Sequence, residues 1–329
     1  MLELSTPGVN GTGASALTKR QLARRTGKVS RQNSSVKNLI VNADDLGWTE
    51  GVNRGIAEAH RRGIVTSASL LANGAAFRSA LELARTAPDL GVGVHLNLSD
   101  GQPLVAAEKI RSLLNEAGQF HSGPESLLLR IVKRTLVLKE AEEEWDTQIQ
   151  RVCEAGIHPT HLDGHKHVHM LPGLFRIALR LAARHGIWGV RVSAEDARLR
   201  QALSSGGASR SSVAWKQGLQ ARGLKLLAWN ARKQAERQDI VTPDYFCGIR
   251  QTGELTKLGV ARLLEALPEG TTELMCHPGY VDEDLRHSAT RLQGSREREL
   301  EILTDKDILN LVASRGIRLI DYGFATREV

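Results

Sequence analysis

Short apolar runs and longer stretches of helical period alternate along the chain from Asn38 onward. The β-branched and apolar runs predict strands at Leu39–Ala43, Ile64–Leu70, Gly91–Leu96, Thr160–Leu162, Gly189–Val192, Leu224–Trp229, Glu273–Cys276 and Ile317–Asp321. Between the first two, Val52, Ile56 and Ala59 recur at helical spacing and the pattern stops at Gly63. Phe77–Arg85, Leu174–His185 and Val260–Leu267 repeat that kind of segment. Strand–helix alternation throughout predicts an α/β fold with a parallel sheet, and about eight repeats predict barrel-like closure. Such a barrel carries its chemistry at the carboxyl ends of its strands.

Two stretches interrupt the alternation. Residues 104–150 hold extra helical material, Leu127–Val132 and Ala141–Val152, which reads as an insertion flanking the site. Residues 194–220 are rich in Ser, Gly and Arg, with Ser204-Ser205-Gly206-Gly207 at the centre, and read as a functional lid or a mobile segment.

Polar residues able to hold a metal stand where apolar runs end. They are Asp44-Asp45 after Leu39-Ile40-Val41, His95 within Val92–Asn97, and the tract His161–His169. Adjacent carboxylates repel, so one is readily held by a cation while the other stays free to take a proton. The bland alternative is an acidic turn before a helix N-terminus. His95 alone would be an ordinary hydrogen-bonded core histidine and gains weight from its neighbours. In the tract, His161, Asp163, His165, His167 and His169 alternate at period two, which places them on one face if the chain is extended, with Gly164 allowing a bend. A metal site is preferred there over a solvated His-rich tract, with Asp163 accepting a hydrogen bond from a ligand imidazole. His277, before Pro278-Gly279, stands where it could give a proton to a leaving group. His60, His121, His158, His185 and His287 have no such setting.

Charge narrows the partners. The formal charge is +7, but residues 1–37 carry seven basic side chains and one acid, Glu3, which accounts for +6 and leaves +1 on the rest. The excess is on a tail, so no nucleic-acid-binding body is expected. The tail's Gly, Ser, Thr and Asn content predicts disorder, and a solvated extension is preferred to a targeting signal. A hydrophobic content of 41% and mean hydropathy of −0.25 describe a globular chain, and no run is long enough for a membrane span. Three widely spaced cysteines without a CxxC pair predict reduced thiols and a cytoplasmic protein. A single domain is expected over 38–329.

With those residues in view, the chain resembles the YdjC-type carbohydrate deacetylases, the family of chito-oligosaccharide deacetylase and HpnK-like proteins. The resemblance rests on Val41–Gly47, Gly63–Leu70, Gly93–Leu98, Thr160–His169 and Met275–Gly279, in that order, and covers Asn38 to about Tyr322. Leu46 stands where the family usually has Phe, and Gly164 where many members have Ser. The resemblance implies a distorted (β/α) barrel and one divalent metal ion held by Asp45, His95 and His165, with Asp44 as catalytic base. Magnesium and zinc both remain open as the ion. The expected reaction is hydrolysis of an N-acetyl group from an amino sugar, on a chito-oligosaccharide or a glycolipid-linked N-acetylglucosamine, with His277 as candidate acid. An esterase or other hydrolase on the same scaffold, or a metal- or sugar-binding protein without turnover, are the rival readings. The expected partner is thus a small-molecule or oligosaccharide substrate, and a homodimer is compatible with the sequence. Trp48 and Tyr280 adjoin motif residues and could each face a sugar ring.

Overall fold

The computed structural model describes residues 36–204 and 227–327. Eight strands form one sheet: β1 (Lys37–Leu46), β2 (Ser67–Leu70), β3 (Gly91–Leu96), β4 (His161–Gly164), β5 (Gly189–Val190), β6 (Tyr245–Cys247), β7 (Gly270–Cys276) and β8 (Arg318–Leu319). Their order is β5-β4-β3-β2-β1-β7-β6, with β8 also pairing β1, and every pairing is parallel. The sheet curls until its two ends meet only through isolated bridges, Gly189 to Val241 and Glu195 to Phe246. This is a distorted (β/α) barrel, as expected.

The strands read as apolar runs because both of their faces are covered. From Leu39 to Leu46 every residue of β1 is buried, as is all of β2, β3 and β4. The helices lie between strands and bury one stripe each. Glu50–Arg62 is capped by the Thr49 side chain, which accepts from the Val52 amide, and packs Val52, Ile56 and Ala59 inward. Leu174–His185 stops at Gly186, whose φ of 69° is the left-handed conformation that ends helices. Gly93 in β3 is required by packing: a Cβ there would sit 2.4 Å from His161 Cε1.

The run Leu224–Trp229 is not a strand: residues 224–226 lie outside the described residues, and 227–236 are helical. The sixth strand is instead Tyr245–Cys247, three residues long. In the 194–220 segment, Ala197–Leu203 is a helix capped by Asp196, which accepts from the Arg198 and Leu199 amides, and the remainder from 205 lies outside the described residues. The tail expected over 1–37 also lies outside them, save Val36 and Lys37, where β1 begins. The stretch 104–150 holds the helix Pro124–Val132 and most of Leu138–Glu154. Among the described residues no helix is long and apolar enough to cross a membrane.

Candidate metal and catalytic site

The carboxyl ends of five strands bring the site together. Asp44 and Asp45 are among the last three residues of β1, His95 is in β3, His165 follows β4, Arg191 follows β5, and His277 follows β7. Asp44, Asp45, His95, His165 and His277 all line one cavity of about 380 Å³, with Trp48, Asp100 and Lys166. Trp48 stands 5.2 Å from the His165 ring. Tyr280 does not line the cavity, and its hydroxyl bonds Glu58 instead.

Backbone conformation aims the paired aspartates. Asp45 adopts φ 69°, a left-handed conformation uncommon outside glycine, and Gly47 follows at φ 90°. The result is that consecutive carboxylates point to different partners. Asp44 accepts two bonds from the Arg191 guanidinium at 2.7 and 2.8 Å and one from Asn42 Nδ2 at 2.8 Å. Asp45 Oδ2 takes Arg296 Nη2 at 2.5 Å, while its Oδ1 faces His165 Nδ1 at 3.0 Å and His95 Nε2 at 3.6 Å.

Arg191 is fully buried and binds three carboxylates. Besides Asp44 it touches Asp163 Oδ2 at 2.6 Å and Glu273 Oε1 at 2.7 Å, and the Tyr322 hydroxyl donates to the other Glu273 oxygen at 2.6 Å. Burial alone would raise the pKa of Asp44, but the Arg191 charge outweighs it and holds the carboxyl below its usual value. Asp45 is subject to the same burial, and Arg296 and then His165 hold it well below the carboxylate range. Burial would lower His165, yet Asp45 and Asp100 raise it to about 9. His277 has no such carboxylate contact; burial takes it down to about 4, and its Nδ1 is buried without a partner.

The donor set fits a divalent cation. Two ligands each ~2.1 Å from one ion stand roughly 3.0–3.4 Å apart for angles of about 90–110°. The 3.0 Å separation between Asp45 Oδ1 and His165 Nδ1 matches that spacing, the 3.6 Å separation from His95 Nε2 is slightly wider, and this buried oxygen faces both imidazoles. His95 donates from Nδ1 to Asp163 Oδ1 at 2.7 Å, which fixes its tautomer and leaves the Nε2 lone pair facing Asp45. A second grouping, Asp44 with His95 and Asp163, also brings ligand atoms within 4.8 Å. It is the poorer candidate, because both of its carboxylates are already engaged by the Arg191 guanidinium.

The tract 161–169 corrects a sequence expectation. It does not present its five polar side chains on one face. β4 ends at Gly164, and Lys166 and His167 take left-handed φ of 52° and 59°. His161 therefore stacks on Tyr322 at 4.0 Å, His167 meets Ser193 Oγ at 2.9 Å, and His169 Nε2 meets the Arg191 carbonyl at 3.1 Å. Only His165 joins the Asp45–His95 grouping. Arg191, Glu273, Arg296 and Asp100 were not anticipated. A charged residue inside an apolar strand run, Gly189–Val192 or Thr272–Cys276, was the available signal for the first two.

With the geometry in place, comparison with known proteins is decisive. A model of the family described as YdjC-like protein matches residues 38–314. The chain belongs to the YdjC-like family. It is 35% identical to a carbohydrate deacetylase of Geobacillus stearothermophilus over 86% of this chain and 96% of that protein. A chitooligosaccharide deacetylase of Salmonella paratyphi B is likewise 35% identical, over 85% of this YdjC-like chain and 96% of the relative. Among solved structures, a putative cellobiose-phosphate cleavage protein from Enterococcus faecalis superposes with a TM-score of 0.70 at 32% identity, over 88% and 98% of the two chains.

Proposed function

We propose that this chain is a metal-dependent carbohydrate deacetylase that hydrolyses the N-acetyl group of an amino sugar, releasing acetate and a free amine. One observation carries the reading most: a buried Asp45 oxygen faces two imidazoles at the base of a cavity that also exposes the ionised Asp44. The names of the relatives, carbohydrate and chitooligosaccharide deacetylases, support it.

Asp45, His95 and His165 would hold the cation, magnesium or zinc. Once bound, the ion polarises the amide carbonyl and acidifies a water. The remaining work belongs to the side chains. Asp44, kept ionised and aimed by Arg191, takes the proton of the attacking water. His277 lines the cavity and delivers a proton to the departing amine nitrogen. It is neutral in the free protein, so the proton it delivers is drawn from bulk water through the open cavity once negative charge develops on the substrate oxygen, and Asp44 returns the proton of the attacking water to solvent. Trp48 packs beside His165 and offers an apolar ring to the sugar.

The test is Asp44→Asn. The variant should bind the cation with unchanged stoichiometry and lose on the order of 10²–10⁴-fold in acetate release, the usual yield of general-base catalysis. Undiminished turnover would remove Asp44 from that role.

A further inference from the structure

The helix Pro124–Val132 reaches from the cavity to an unusual piece of surface. Its start lies at the cavity, where Gly123, Pro124 and Glu125 form part of the wall. Its later residues divide sharply. Leu127 is fully buried, whereas Leu128, Leu129 and Val132 are 40%, 53% and 71% exposed. At about 100° per residue those three positions share one stripe of the helix. The chain then turns through Arg134 at φ 56°, and the amides of Thr135 and Leu136 bond back to the Arg130 carbonyl. Val137 and Leu138 follow, 47% and 41% exposed.

Isolated exposed apolar residues are ordinary, but a concentration of them is not. Five of the seven large exposed hydrophobic side chains among the described residues fall within 128–138. Interleaved with them are Arg130, Lys133, Arg134 and Lys139, and no Asp or Glu occurs from 126 to 139. Lys133, Arg134 and Lys139 are exposed and Arg130 half-buried.

We propose that residues 128–139 are a docking surface for an anionic lipid bilayer. The leucines and valines enter the headgroup boundary, and the four cations meet lipid phosphates. Charge favours this occupant over a second copy, the chain's own N-terminal residues or an uncharged partner. A second copy seated on this face about a two-fold axis would bring cations against cations. The chain's own first 37 residues carry +6 and would be repelled by the same four charges. An uncharged apolar partner would leave the cations unmatched. An anionic membrane satisfies both the apolar stripe and the charge, and with no crossing helix among the described residues the attachment is peripheral. The nine-residue helix spans about 14 Å, so the cavity wall and the docked face lie close together.

The experiment reads vesicle binding and not turnover, so it stands apart from the deacetylase assignment. The full-length chain is sedimented with vesicles of phosphatidylcholine alone or mixed with phosphatidylglycerol. Binding to the mixed vesicles, little to the neutral ones, and weakening with added salt are expected. Lys133→Ala with Arg134→Ala should lower partitioning roughly 25-fold, about five-fold per cation. Leu129→Ser with Val132→Ser should lower it at unchanged charge. Both pairs alter exposed positions, and an unshifted thermal transition would show the fold intact. Absence of binding to anionic vesicles would overturn the proposal. So would binding that neither pair of substitutions weakens, since the basic N-terminal residues would then carry it. A change of solution mass in the variants without vesicle binding would overturn it in favour of a self-association face.

Discussion

Arg191 offers the sharpest test of how this site is held together. Its guanidinium is fully buried among Asp44, Asp163 and Glu273, with contacts of 2.6–2.8 Å. Replacing it by Met keeps much of the volume and removes the charge, leaving three carboxylates in a dry interior. Breaking a buried ion pair from one side costs about 3–5 kcal/mol, a large part of the roughly 5–15 kcal/mol that holds a typical protein folded. Asp44 and Asp163 have folded pKa values below 3.8, so their pairing stabilises the native state above that pH and the contribution fades as pH falls through the lowered values. Without Arg191, burial loses the largest influence opposing it and both groups rise, with His95, and His161 beside Asp163, still holding them back in part. Urea unfolding of Arg191→Met at pH 7 should therefore show a loss of at least about 3 kcal/mol. The acid limb of its residual activity should move to higher pH. Arg191→Lys should recover part of the stability but not the two-pronged grip on Asp44, because an ammonium is a point charge. A stability loss under about 1 kcal/mol, with an unmoved acid limb, would refute the view that this guanidinium sustains the ionised base.

Other consequences follow from the same geometry. His165 is raised to about 9 in the cation-free protein, above its ordinary 6.5. Its stabilising pairing is complete below pH 6.5 and is lost as pH rises through 9, so urea unfolding of the cation-free chain should show weaker stability at pH 10 than at pH 7. Equal stability at both would contradict it. Because a ligating imidazole must lose that proton, calorimetry of zinc binding at pH 7 in buffers of different ionisation enthalpy should report about one proton released, and none released would remove His165 as a ligand. Gly93→Ala should destabilise by about 1–3 kcal/mol or prevent folding, since the new methyl meets the His161 ring, itself backed by Tyr322; wild-type melting would show that the ring has room.

Much of the architecture is visible in the residues because local and global signals agree. The runs at Leu39–Ala43 and Gly91–Leu96 are apolar on both faces and terminate in polar groups, which is how a buried parallel strand with chemistry at its end must look. The sixth strand was hidden. Tyr245–Cys247 is short and follows Pro243, whereas Leu224–Trp229 looks like a strand and yet 227–229 are helical, since a brief apolar run carries no usable period. In the tract 161–169, alternation suggested one extended face, but the left-handed Lys166 and His167 scatter the histidines. The residues that brace the site were harder to see. Arg296 meets Asp45 across 251 positions from a largely polar helix, and nothing in its own neighbourhood distinguishes it from a surface arginine. Pairings of that kind are made by topology and leave no local mark.

Acetate release tests the deacetylase assignment most directly. Purified protein stripped of metal, then resupplied with zinc, magnesium or nothing, would be assayed on a panel of N-acetylated sugars. Acetate appearing only when a divalent ion is restored, and absent from a parallel His165→Ala sample, is the predicted result. Release that continues at full rate in the stripped protein, or no release from any sugar while the ion is bound, would contradict it.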